Sequence, residues 1–202
     1  MEHKEFDKEY YVMNIGGEDN YPILAWGSSY HDAFSENAPI DKELPLPLKI
    51  VFTDPFPEEY EMADFLMLGS NFAGSANLKN LFDKNNIYGV QFFPVEIKSN
   101  KGEIISGHYA IHFWNKYSAI DKDNYEGEEI DEYGYINDLE KFSLDLNLLN
   151  DIPLEKRLVF GLSENPTMIL VHESIYSLIE KANLTGLSFF RVDEWDEDAM
   201  FR

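Results

Sequence analysis

His108 and His112, in the stretch "HYAIHFW", stand four residues apart, the spacing of two zinc ligands on one helical turn. The surrounding aromatic and β-branched residues predict a strand instead. Four residues of strand span about 13 Å, too far for two ligands that must each approach a metal to about 2 Å. His172 stands singly beside Glu173, His3 and His31 lie far from it in the chain, and no H-E-x-x-H motif occurs. The acids from Asp121 to Glu132 resemble a calcium loop in part, with Asp121, Asp123, Glu129 and Glu132 at ligand positions. Tyr125 takes the third ligand position, however, and Gly127 comes one residue after the turn position, which Glu126 holds. No metal or cofactor is expected.

Nucleophile chemistry finds no better footing. There is no G-x-S-x-G elbow, and "GSNFAGS" (Gly69 to Ser75) has the small residues of a phosphate loop but not its lysine. It reads as a loop leading into a helix. Cysteine is absent, which removes disulfides, thiolate catalysis and cysteine-ligated metals. With 16 Lys and Arg against 38 Asp and Glu, the net charge of −22 disfavours nucleic acid and anionic lipid; it either serves solubility alone or steers a basic protein partner inward. No apolar run approaches the roughly 18 residues of a membrane span. An intracellular, cytoplasmic protein that does not bind membrane is expected.

The remaining candidates are contact residues. In "RVDEWDEDAMF", Trp195 stands among Asp193, Glu194, Asp196, Glu197 and Asp198. Exposed, it would anchor a basic partner; buried, it would end the last strand and leave the acids as a solvated tail. The stretch 121–135 reads as an exposed acidic loop. There Tyr125, Glu128, Glu129, Tyr133 and Tyr135 present the same two alternatives.

The elements that must hold these residues follow from periodicity. Strands are predicted over Tyr10 to Ile15, Leu48 to Thr53, Val90 to Lys98 and the "SGHYAIHFWN" segment, with further strands at "LVFGLSE", "TMILVHE" and Leu187 to Val192. Asp64 to Leu68 is a short apolar run. Helices are predicted from Ser75 to the Asn85-Asn86 pair and from Ser174, with a short one over Tyr30 to Phe34 capped by Ser28 or Ser29. The "INDLEKFSLDLNLLNDIP" stretch fits both periods, and a strand over Phe142 to Leu146 is preferred. The prolines at 45, 47, 55 and 57 imply irregular chain.

Two phrases nearly repeat, "YGVQFFPVEI" and "TGLSFFRVDEW". At an offset of 97 residues, Gly89 meets Gly186, Asn86 meets Asn183, and Phe92-Phe93 meets Phe189-Phe190. Upstream the match needs gaps, pairing "DFLML" with "MILVH". The expectation is one α+β domain over 1–202, with mixed or antiparallel sheets and a few helices. It would contain two related strand-strand-helix-strand units, about 48–98 and 157–195. The glycines suit a positive φ between helix and strand, and adjacent phenylalanines would face opposite sides of a strand.

The phrases "YYVMNI", "LPLPLKI", "ADFL", "NNIYGVQFFPVEI", "HYAIHFWNKYSAID" and "ENPTMILVHESIYSLIEKANLTGLSFFRVDEW", in this order, span Tyr10 to Trp195. Together they resemble a group of bacterial immunity proteins from polymorphic toxin systems, formerly a domain of unknown function. The resemblance implies a non-enzymatic protein that binds and blocks a cognate toxin. Charge adds the expectation of a basic toxin domain, such as a nuclease. The alternatives from the residues alone are a carboxylate-dependent enzyme with a cleft between the two units, and an acidic scaffolding protein.

Overall fold

A computed structural model describes residues 5–17, 20–28, 30–53 and 59–198. His3, Ser29, Pro55 and Pro57, singled out above, lie outside the described residues. In chain order the elements are helix α1 (Glu5–Glu9), strands β1 (Tyr10–Ile15) and β2 (Leu24–Trp26), a 3₁₀ turn at His31–Ser35, and strands β3 (Leu48–Phe52), β4 (Phe65–Leu68) and β5 (Asn71–Ser75). Helix α2 (Ala76–Lys84) leads to β6 (Val90–Lys98), β7 (Ile104–Ile105), β8 (His108–Phe113), β9 (Lys116–Tyr117), β10 (Ile120–Gly127) and β11 (Leu139–Leu144). Then come α3 (Leu146–Asp151), β12 (Val159–Leu162), β13 (Ile169–His172), α4 (Glu173–Ala182), β14 (Leu187–Arg191) and a 3₁₀ turn at Val192–Glu194. Sheets with a few helices make this an α+β fold, as the periodicity predicts.

Three expectations change. "NFAGS" is strand β5 and not a loop, because it pairs on both sides, with β4 and with β8. The ambiguous stretch holds both of its periods: β11 ends at Leu144, and Asp145 then caps α3 by accepting from Asn147 N and Leu148 N. The acidic loop begins as strand β10, whose antiparallel pairing with β11 makes a two-stranded hairpin with irregular register.

Two larger sheets carry the rest. One runs β3-β2-β4-β5-β8-β6-β7, and β6 also pairs in parallel with β3, closing the sheet into a barrel. Leu24, Leu48, Ile50, Leu66, Leu68 and Ile97 pack together in its core. The other runs β14-β1-β13-β12-β9. Val12, Phe160, Leu162 and Leu170 from this sheet pack with the β10–β11 hairpin, α3 and α1. A third core joins the two bodies, with Leu78 and Phe82 of α2, Ile175 and Ile179 of α4, and Phe65, Met13 and Val171 from the sheets.

Several local features fall at corresponding positions 97 residues apart. Ser75 caps α2 and His172 caps α4, each with its side chain. Asn86 and Asn183 both take positive φ, at 50° and 49°, and Gly89 and Gly186 at 86° and 79°. Strand β8 lies between β5 and β6 as β1 lies between β13 and β14, in the same register: Ile111 pairs with Phe72 and Phe92, and Met13 with Ile169 and Phe189. The direct counterpart of β13 is therefore β5, not "DFLML". Each Phe-Phe pair splits as the strand period requires: Phe92 packs on Phe82 and Phe189 on Tyr176, while Phe93 packs on Phe34 and Phe190 joins the core under the hairpin.

A carboxylate ties the two bodies together. Asp64 accepts from Ser75 Oγ (2.5 Å), Asn77 Nδ2 (3.3 Å), Thr185 N (3.0 Å) and Thr185 Oγ1 (3.2 Å). Burial works to raise its pKa, but these hydrogen bonds outweigh burial and hold the carboxyl below its ordinary value. No helix among the described residues is long and apolar enough to cross a membrane.

Candidate functional site

The connection between β10 and β11 is acidic but ordered. Glu128 N donates to Asp138 O, and Asp131 N to Tyr135 O, both at 2.9 Å. The Asp131 carboxylate accepts from Tyr133 N (2.9 Å) and Tyr135 N (2.8 Å), a local turn of the kind aspartate makes with its own backbone. Gly127 permits the close approach: at φ 146°, a Cβ there would stand 2.2 Å from Asp138 O. Ile136 is buried, and its N–H donates to Glu164 O at 2.9 Å, pinning the loop to the turn between β12 and β13. The loop so held leaves Tyr133 76% exposed at its tip, beside exposed Glu128, Glu129 and Glu132. Tyr125 is different. It is half-buried and packs against the core beneath the hairpin.

Trp195 is 6% exposed, which decides between its two alternatives. Its ring packs edge-on against Phe142 of β11, centroids 5.2 Å apart. The expectation of an exposed anchor is thus corrected: an indole buries too much apolar surface to stay in water when a core lies within reach. Its indole N–H has no hydrogen-bond partner among the described residues. Arg191 sets the turn before it, donating to Asp193 Oδ1 (2.5 Å), Asp193 Oδ2 (3.2 Å) and Glu194 Oε1 (2.7 Å). Two of the tail acids are thereby paired, while Glu197 and Asp198 stay exposed. Trp195 docks on β11, and with Glu197 it lines a pocket that Asn137, Asp138 and Leu139 also line, which sets the acidic tail beside the strand that follows the acidic loop.

A groove runs beside them between the two bodies. One pocket of about 410 Å³ is lined by Asn14, Met67, Asn71, Phe72, Asp138 and Trp195, among others. A second of about 380 Å³ shares Ser70, Asn71, Phe72 and Thr167 with the first. A third of about 370 Å³, under the hairpin loop, is lined by Tyr135, Ile136, Asn137, Glu164, Asn165, Pro166 and Thr167. Periodicity could not place this groove, since its walls come from distant strands. The one available signal was the small polar run at Gly69 to Ser75, which supplies the β4–β5 turn in its wall.

The carboxylates of the groove do not form a desolvated pair. Asp138 and Glu197 are exposed, and buried Glu164 accepts from Ser118 Oγ at 2.6 Å. Among the described residues, no cluster of three or more His, Asp or Glu is arranged to hold a metal ion. His108 and His112 are buried on β8, each with Nε2 against a backbone carbonyl, Ala63 O at 3.2 Å and Ala38 O at 2.8 Å. Burial lowers the pKa of both, and of His172. The structure uses these histidines as scaffold.

No curated protein matches the chain. A family match does, and it spans nearly everything described above: both sheets, the hairpin and the turn that seats Trp195. Over residues 7–194 the sequence matches Imm11, an immunity protein family, and the chain belongs to that family.

Proposed function

We propose that the protein neutralises a basic toxin domain, such as a nuclease, by binding it one to one through the face formed by the β10–β11 hairpin and the acidic tail. Family membership supports an immunity role against a toxin. The observation that carries the choice of face is the seating of Trp195 on Phe142. It sets the acidic tail beside β11, the strand that follows the acidic loop, and Tyr133 is an exposed aromatic on that loop. In the stretch 121–141 there are nine acids and two lysines, so the field there draws a cationic partner inward. Tyr133 and the apolar part of the groove then slow its departure. Inhibition on this account needs no chemistry, only coverage of the toxin's working surface.

The test uses the toxin domain encoded beside this protein's gene. Association rates are measured at rising salt, for the wild type and for Glu128→Lys/Glu129→Lys. Steering predicts an association rate that falls about tenfold or more between low and physiological ionic strength, and a reduced salt slope in the double variant. A rate indifferent to salt removes the acidic face from the account.

A further inference from the structure

We infer that Glu164 is the receptor for a basic side chain, arginine or lysine, that the toxin inserts under the hairpin loop. This rests on the proposed toxin-binding role and assigns that role a specific contact.

Glu164 is 2% exposed. Ser118 Oγ satisfies Oε1, but Oε2 is buried with no hydrogen-bond partner among the described residues. No Lys or Arg among the described residues pairs with it, which is costly for a carboxylate out of water. Glu164 lines the pocket of about 370 Å³ beneath Tyr135, Ile136 and Asn137. A buried carboxylate with one unpartnered oxygen, on a residue that lines a cavity, is matched by a cation brought from outside. The chain itself points to where that cation comes from. The pocket's roof is the loop that carries Tyr133 and the acids at its tip, so a basic segment drawn to this face arrives over Glu164. The pocket also has room for a long basic side chain. Its neutral neighbours Asn137, Asn165 and Thr167 offer side-chain oxygens for further N–H groups.

The experiment compares wild type, Glu164→Gln and Glu128→Gln. Glu164→Gln keeps the shape and the acceptor for Ser118 while removing the charge. The expected result is a toxin dissociation rate raised roughly thirtyfold or more in Glu164→Gln, and less than about threefold in Glu128→Gln, because a buried pair acts on dissociation and a rim charge on association. The free Glu164→Gln protein should melt no lower than wild type, which separates a binding role from a structural one. Melting curves in potassium chloride and in N-acetylarginine amide supply the second arm. The arginine derivative should raise the wild-type midpoint beyond what the salt does, and this excess should vanish in Glu164→Gln. If wild type binds the toxin and Glu164→Gln releases it at the same rate, this inference falls and the acidic face stands. Equal stabilisation by potassium alone also overturns it, in favour of a small-cation site. If wild type does not bind the toxin, both fall.

Discussion

Asp64→Asn is the sharpest test of how the two sheet bodies are held. The carboxylate takes four hydrogen bonds, two on each oxygen: Ser75 and Asn77 on Oδ1, and the Thr185 backbone and hydroxyl on Oδ2. An asparagine of the same shape must put its NH₂ at one of these positions, where it meets donors. Two of the four bonds are lost whichever way the amide turns. Hydrogen bonds to a charged group contribute about 1.5–3 kcal/mol each in protected settings, and this site is partly exposed, so the expected loss is about 2–3 kcal/mol for the pair. The bond to Ser75 matters doubly, because the same hydroxyl oxygen accepts from Asn77 N and Leu78 N to cap α2. The pH dependence supplies an internal control. The carboxyl's folded pKa lies below its ordinary value. Its contribution is therefore present above the unfolded pKa near 3.9 and is lost as pH falls through the folded value. Urea unfolding at pH 7 and below pH 4 reads both. The gap between wild type and Asp64→Asn should be about 2–3 kcal/mol at neutral pH and should shrink in acid. A gap under about 0.5 kcal/mol at pH 7, or one that persists unchanged in acid, would refute the reasoning.

Gly186→Ala should cost more than about 3 kcal/mol in a thermal or urea melt, because a Cβ at φ 79° also meets Phe65 O at 2.1 Å. Gly134→Ala, at φ 89° with nothing within 4 Å, should cost only about 1–2 kcal/mol of backbone strain. Trp195→Ala should lose about 3–5 kcal/mol by emptying the space against Phe142, whereas Trp195→Phe should lose under about 1.5, since the indole N–H has no partner among the described residues to forfeit. Burial lowers the pKa of His112, so the folded chain binds fewer protons there than the unfolded one once pH drops below about 6.5. Stability should therefore fall across this range before the carboxylates titrate, and less steeply in His112→Gln, which keeps a donor for Ala38 O but cannot gain the proton.

The secondary structure that lies on one face was legible in the sequence, and what depends on a distant partner was not. Leu48–Phe52 alternates buried and exposed, so its period declared it. Both longer helices announced themselves through Ser75, the asparagine pair and the leucine spacing. "NFAGS" carries no such signal. It is a strand because β4 and β8 flank it, and a glycine at position 74 fits there between the side chains of Ile111 and Leu78. Strand β10 is hidden in the same way: its acids read as solvent-exposed, and only pairing with β11 makes them a ladder. At the candidate site, the charge was visible and the assembly was not. Nothing in "DEWDED" says that the tryptophan docks on Phe142, nor could "LSENP" show that its glutamate ends beside a cavity under a loop about thirty residues upstream. Those facts belong to tertiary packing, which overrides local propensity.

The two near-identical phrases show how one local structure leads to different ends. We propose that they are copies of one unit, a reading supported by the matching caps, the matching left-handed asparagines and the identical register of β8 and β1 between their neighbours. Through Phe-Phe the copies run in step, and they part at the next residue. Pro94 leads into Val95–Lys98, which stays extended because β3 lies alongside, with Lys49 bonded to Glu96 at 2.7 Å. Arg191 occupies the equivalent place in the second copy, and there β14 is an edge strand that, among the described residues, pairs with β1 alone. With no strand to follow, Arg191 folds back on Asp193 and Glu194, and the chain turns. Val95 and Val192 are both buried, so the core demand is common to the copies. What differs is the neighbour. The first copy spends its continuation on closing a barrel. The second is left open, and the open side is where Trp195, the acidic tail and the hairpin gather. The face proposed above for toxin binding therefore lies where the second copy lacks the strand that completes the first.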